Sequence, residues 1–155
     1  NENSMQHLGR ETMFSGIVSE PSETYFEKLS STMFICVGRL NPPRDTGGRV
    51  RIITYINDVL TKGRSNWFGS RTGVDDTLPT IVSLTDTTCV LGWMENTKFY
   101  IHTISINGTT IVKESNPIVV YDFPSIQKIQ IDVEKLNDTQ IIVFFSYWRL
   151  KIRFF

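Results

Sequence analysis

Apolar and polar residues alternate along most of this chain, and the alternating stretches are short. In 49–57, Val50, Ile52, Thr54 and Ile56 alternate with Arg51, Ile53 and Tyr55, the period-two pattern of a strand with one buried face. Similar stretches cover 12–18, 24–29, 32–40, 81–84, 89–93, 98–106, 110–112, 117–123, 126–133 and 139–145, and an apolar run continues to Phe155. Turn chemistry separates them: Glu20-Pro21-Ser22, Asn41-Pro42-Pro43, Gly47-Gly48 and Leu78-Pro79, with Asn107-Gly108 the strongest hairpin signal. The polar segment 61–66 reads as a loop leading into Trp67 and Phe68. Residues 125–136 could trace a helix through Ile126, Ile129 and Val133. However, Ile129, Ile131 and Val133 also alternate with Lys128, Gln130 and Asp132, and β-branching selects the strand.

About ten short strands with no interposed helix predict an all-β fold, as two packed antiparallel sheets or a closed barrel. No repeat, low-complexity segment or linker is visible, so residues 1–155 read as a single domain. The composition agrees: there is no alanine among 155 residues, and the best helix former is replaced by residues suited to a pleated surface. Lys+Arg and Asp+Glu balance at 16 each, so no basic excess argues for nucleic acid or an anionic membrane as the main partner. No apolar run is long enough for a spanning helix. The chain begins at Asn1, as a processed product or a fragment would.

A search for reactive groups predicts neither an enzyme nor a metal or cofactor site. The only histidines are His7 and His102, and His102 lies within an alternating stretch as a strand-face residue. No nucleophile elbow, zinc-binding histidine pair or phosphate loop is present. Asp75-Asp76 reads as a solvated loop before Leu78-Pro79. Cys36 and Cys89 both fall in apolar runs, as a disulfide between facing sheets or as two buried thiols. Asn107-Gly108-Thr109 and Asn137-Asp138-Thr139 are candidate glycosylation sequons, and they favour an extracellular setting. What stands out is a set of polar and aromatic residues in one region: Arg39, Asn41, Arg44, Asn57, Trp67 and Arg71. Planar donors and acceptors with an indole are the groups that hold a sugar's hydroxyls and its apolar face.

Those residues sit in segments that resemble the galectin family. Met13-Phe14-Ser15-Gly16-Ile17-Val18, with Phe26 and Leu29, is similar to the family's opening pattern, and 35–44 (ICVGRLNPPR) to its strand leading into His-x-Asn-Pro-Arg. Asn57 falls where the next strand of that family carries an asparagine. The segment Trp67-Phe68-Gly69-Ser70-Arg71 resembles its Trp-Gly-x-Glu-x-Arg motif, and 99–112 and 123–132 resemble its later hairpin and final stretch. The resemblance implies a two-sheet antiparallel jelly-roll sandwich of the concanavalin or galectin kind. It also implies a metal-free glycan site on the concave sheet formed by Arg39, Asn41, Arg44, Asn57, Trp67, Ser70 and Arg71. Arg39 stands in place of the family's histidine and Ser70 in place of its glutamate, there is an extra proline, and the loop before Trp67 is longer.

Two functions follow as expectations. One is a non-catalytic lectin for a galactoside, with the added positive charge of Arg39 favouring an acidic, sialylated or sulfated glycan or glycoprotein. The other is a galectin-fold structural or protein-interaction module of an extracellular or viral assembly that binds no sugar. The apolar segment 139–155 should then complete a sheet or mediate self-association or contact with a protein partner.

Overall fold

A computed structural model of the chain describes residues 21–40, 48–69, 76–113, 116–124, 129–147 and 149–155. The strand expected at 12–18 lies outside these residues. Among the described residues there are strands and no helix, grouped into three antiparallel sheets. In sheet A, β1 (Pro21–Lys28), β2 (Met33–Leu40) and β3 (Gly48–Ile56) form a meander. The far edge of β3 is shared end to end by β5 (Asn66–Phe68) and β4 (Val59–Lys62). Sheet B repeats the plan with β6 (Asp76–Thr85), β7 (Thr88–Glu95) and β8 (Lys98–Asn107). The far edge of β8 is shared by β10 (Ile118–Asp122) and β9 (Thr110–Lys113). Sheet C consists of β11 (Gln130–Asn137), β12 (Gln140–Tyr147) and β13 (Arg149–Phe154). The apolar segment at the end of the chain therefore completes a sheet.

The expectation of antiparallel sheets packed face to face holds, but the layers number three rather than two. Each sheet is built from strands consecutive in sequence, whereas a jelly roll interleaves its strands between two sheets. Sheet B is the middle layer. On β7, Cys89, Leu91 and Trp93 join Ile35, Val37, Val50 and Ile52 in the core between A and B. The alternate residues Val90 and Met94 join Val133, Ile141, Val143 and Phe145 in the core between B and C. With both faces dry, Cys89 to Met94 are buried without interruption, which explains why this stretch reads as a continuous apolar run.

The sheets are equivalent row by row, which corrects the reading that the chain has no repeat. The first hairpins open with Leu29-Ser30-Ser31-Thr32, Leu84-Thr85-Asp86-Thr87 and Leu136-Asn137-Asp138-Thr139, at spacings of 55 (84 minus 29) and 52 (136 minus 84) residues. Register carries the match further: Cys36 pairs Arg51, Leu91 pairs His102 and Val143 pairs Arg153. Arg51 and His102, the buried polar residues of the described core, thus occupy the same place in successive sheets. The aromatic contacts repeat as well. Phe68 of sheet A lies 5.7 Å from Trp93 of sheet B, and Tyr121 of sheet B lies 5.1 Å from Phe145 of sheet C. Trp93 and Phe145 are equivalent positions, 52 residues apart (145 minus 93).

Two local readings change for physical reasons. Leu78-Pro79 does not break the strand, because β6 is the edge of sheet B and the register shifts between Thr77 and Thr80; an edge bulge accepts a proline that an inner strand could not. The loop at 61–66 contains the ends of two short edge strands, β4 and β5, too short to show a period. Gly92 marks the tightest packing in the middle sheet: a Cβ there would lie 2.7 Å from the Phe99 ring and from Thr80 Cγ2. Gly92→Ala should destabilise the fold by about 1–3 kcal/mol through overpacking, measured as a lower urea midpoint with an unchanged slope.

Candidate functional site

Among the described residues of the expected sugar site, Asn57 does not come near Trp67. Asn41, Arg44, Ser70 and Arg71 lie outside the described residues. Trp67 pairs Arg49, and Arg49 pairs Gly38; Arg39 belongs to the neighbouring row, opposite Gly48 and Phe68. Asn57 sits at the other end of β3, eight residues past Arg49 (57 minus 49). At the roughly 3.3 Å rise of a strand residue that separation is about 25 Å, far beyond one sugar ring. Asn57 has a turn role instead. Its φ is +50° and that of Asp58 is +62°, the left-handed pair of a two-residue hairpin, a conformation that Asn and Asp tolerate. Gly108, at φ +59°, holds the equivalent place in the β8–β9 hairpin. The indole of Trp67 is half-buried and carries the Arg49 guanidinium carbon 3.3 Å from its ring centroid, a cation–π contact that occupies one face of the ring.

Both cysteines are free, buried thiols, which decides between the two forms read from the sequence. They face different layers: Cys89 lies in the A–B core, whereas Cys36 packs with Ile53 and Leu60 on the opposite face of sheet A. This corrects the expectation that the two cysteines could meet in one core. His102 is buried on β8. Asp75 lies outside the described residues, while Asp76 begins β6 opposite Glu95 rather than standing in a loop. Asn107 and Asn137 are exposed at hairpin ends. Asn137 Oδ1 accepts hydrogen bonds from the N–H and hydroxyl of Thr139, each at 2.9 Å.

A different site appears where β1, β6 and β11, the first strands of the three sheets, converge. They enclose a cleft of about 230 Å³ lined by residues that include Tyr25, Phe26, Glu27, Thr80, Asp132 and Glu134. Tyr25 and Phe26 are exposed beside it, as are Asp132 and Glu134. Glu27 is tied down: its Oε1 accepts from Ser83 Oγ at 2.7 Å and from Ser83 N at 3.2 Å, bridging sheets A and B. Lys135 makes the corresponding bridge from C to B, donating from Nζ to the Leu84 carbonyl and pairing Asp138 at 2.7 Å. The charged groups among the described lining residues are all carboxylates. Sequence reading missed this cleft because its residues come from segments about 50 residues apart; the repeated Leu-x-x-Thr spacing was the signal that could have found it.

Comparison of the chain with protein-family models, with curated proteins and with solved structures returns no match. Among the described residues no group of His, Cys, Asp and Glu could hold a metal ion, and no helix is long and apolar enough to cross a membrane.

Burial pushes both thiols up to about 12, with the Arg51 charge opposing the rise at Cys36 and the Glu27 charge adding to it at Cys89. Neutral thiols are therefore favoured in the folded state. Their contribution to stability is complete below the ordinary thiol value of about 8.5 and falls as the pH climbs from there. Urea midpoints should decline on the alkaline side, and Cys36→Val with Cys89→Val should flatten that decline. In the folded protein at neutral pH, thiol reagents should label both cysteines slowly, since the reacting thiolate is scarce and enclosed.

Proposed function

We propose that this chain is a non-catalytic protein-interaction module that captures a basic peptide segment in the cleft between β1, β6 and β11. The observation that carries the reading is the lining: exposed Tyr25 and Phe26 beside Asp132 and Glu134, with carboxylates as the charged groups among the described residues. Aromatic faces attract an ammonium or guanidinium group, and a carboxylate completes its coordination through a charge-assisted hydrogen bond. The half-enclosed space suits one long cationic side chain, while the flanking edge strands offer backbone groups to an extended peptide. A galactoside lectin is the second reading, and its support is the half-buried indole of Trp67 within segments that resemble the galectins. Covering of one face of that ring by Arg49 and the remoteness of Asn57 favour the peptide reading.

Calorimetric titration with a Lys/Arg-rich peptide, an acidic peptide and lactose separates the two. The basic peptide should bind, more weakly at high salt. Asp132→Asn should weaken it about tenfold to a hundredfold, the loss of a charge-assisted hydrogen bond of about 1.5–3 kcal/mol. Lactose binding abolished by Trp67→Ala, with no response to the basic peptide, would replace this reading with the lectin.

A further inference from the structure

Among the described residues, the first strands β1, β6 and β11 each lie at an edge of their sheet, with one strand as partner. An open edge is a template for any extended segment. On β6 the edge beside the cleft is closed by fixed devices. Its register shifts between Thr77 and Thr80, and Pro79 within that shift has no N–H to give. Further along, the Ser83 N–H donates to Glu27 Oε1 at 3.2 Å, and the Leu84 carbonyl accepts from Lys135 Nζ. Glu27 is half-buried, and the same oxygen also accepts from Ser83 Oγ at 2.7 Å, so this cap is held at two points.

The cap on β11 is of a different kind. The β11–β12 ladder runs without a shift from Gln130 to Lys135, with Lys135 opposite Ile141 and Val133 opposite Val143. Ile141 exchanges both of its backbone bonds with Phe155, so Ile141, and Val143 two residues on, turn their amides toward the β13 side. Their partners Lys135 and Val133 therefore occupy the non-bonded positions of the ladder and turn their own amides outward, away from β12. The outward Val133 N–H donates to Asp132 Oδ1 at 3.0 Å. Asp132 and Val133 both line the cleft, and the Asp132 side chain is exposed. This carboxylate thus caps an edge amide from the solvent side, where an incoming charge can reach it.

We propose that Asp132 is a selectivity gate on strand addition at β11, which admits an extended segment that carries a cationic side chain and refuses a neutral one. A neutral strand meets a Val133 N–H that is already bonded, and pairing there only exchanges one acceptor for another. A Lys or Arg side chain entering the cleft draws the carboxylate to itself in a charge-assisted hydrogen bond. The released Val133 N–H then donates to a backbone carbonyl of the same segment, as in the addition of a strand to a sheet edge. The inference rests on the basic-peptide reading of the cleft and narrows its ligand. The partner is an extended strand whose cationic side chain and backbone are recognised together, and β11 rather than the doubly held edge of β6 receives it.

The test is a titration of the wild type and three variants with a Lys/Arg-rich peptide and with the same peptide carrying glutamine at every Lys and Arg. The wild type should bind the basic peptide about tenfold or more tighter than the neutral one. Asp132→Ala should lose affinity for the basic peptide and gain about tenfold for the neutral one, because its Val133 N–H is free from the start. Asp132→Asn keeps an oxygen for that N–H, and Glu134→Ala removes a neighbouring charge without freeing the amide, so neither should gain the neutral peptide. All three positions are exposed, and the circular dichroism spectra should match. In the labelled wild type, the Val133 amide resonance should move with the basic peptide and stay in place with the neutral one. Basic-peptide binding without a gain of the neutral peptide in Asp132→Ala, or with an equal gain in Glu134→Ala, overturns the gate and leaves the peptide reading standing. A wild type that ignores the basic peptide overturns both.

Discussion

Desolvation of β7 on both faces is the constraint on which the rest of the structure depends. A strand with one wet face can alternate; one with two dry faces must be apolar at each position and must place each backbone amide in a ladder. β7 satisfies the second condition by lying between β6 and β8, and the first by its run from Cys89 to Met94. That arrangement obliges a sheet on each side. Sheets A and C therefore exist as covers for B as much as for themselves, and the small side of the strand is part of the fit: Gly92 admits the Phe99 ring where any Cβ would collide.

Repetition of one sheet plan places similar residues at the same register positions in successive sheets. A buried cationic or imidazole side chain recurs opposite the centre of the second strand, and an aromatic pair recurs across each interface. The first strands of all three sheets consequently point their edges toward one another, and a cleft forms from residues that have no proximity in sequence. Function in this reading is a product of layering: no single sheet holds both the aromatic groups and the two exposed carboxylates.

The strand content was legible because period-two alternation is a local signal. Arg49 to Asn57, Cys89 to Trp93 and Lys98 to Ile106 correspond to β3, β7 and β8 within a residue or two, and the choice of strand over helix at 125–136 matches β11. Layer number was not legible, because alternation states that a face is buried without stating against what. The cysteines illustrate the limit: two apolar settings were visible, but only register puts Cys36 and Cys89 on faces that look away from one another. Asn57 and Trp67 were grouped by sequence distance and by likeness to a motif, while the length of β3 holds them apart. The cleft depended on the repeat, whose marks, a leucine and a threonine three residues on, are too sparse to stand out in a chain rich in both strands and threonines.

The building of each sheet from neighbouring strands has a consequence for how the chain reaches this state. Hairpins joined by short turns close small loops, which form fast, whereas pairing between remote strands must first overcome the entropy of closing a long one. Each meander can thus zip up from its own Leu-x-x-Thr turn, with remote contacts limited to the docking of finished sheets. A lone meander cannot persist, because its apolar faces are wet until a neighbour arrives. Docking of A or C onto B is therefore the step at which local order becomes durable, and a substitution at the B interfaces, such as one at Trp93 or Phe145, should act chiefly on that step rather than on the hairpins that precede it.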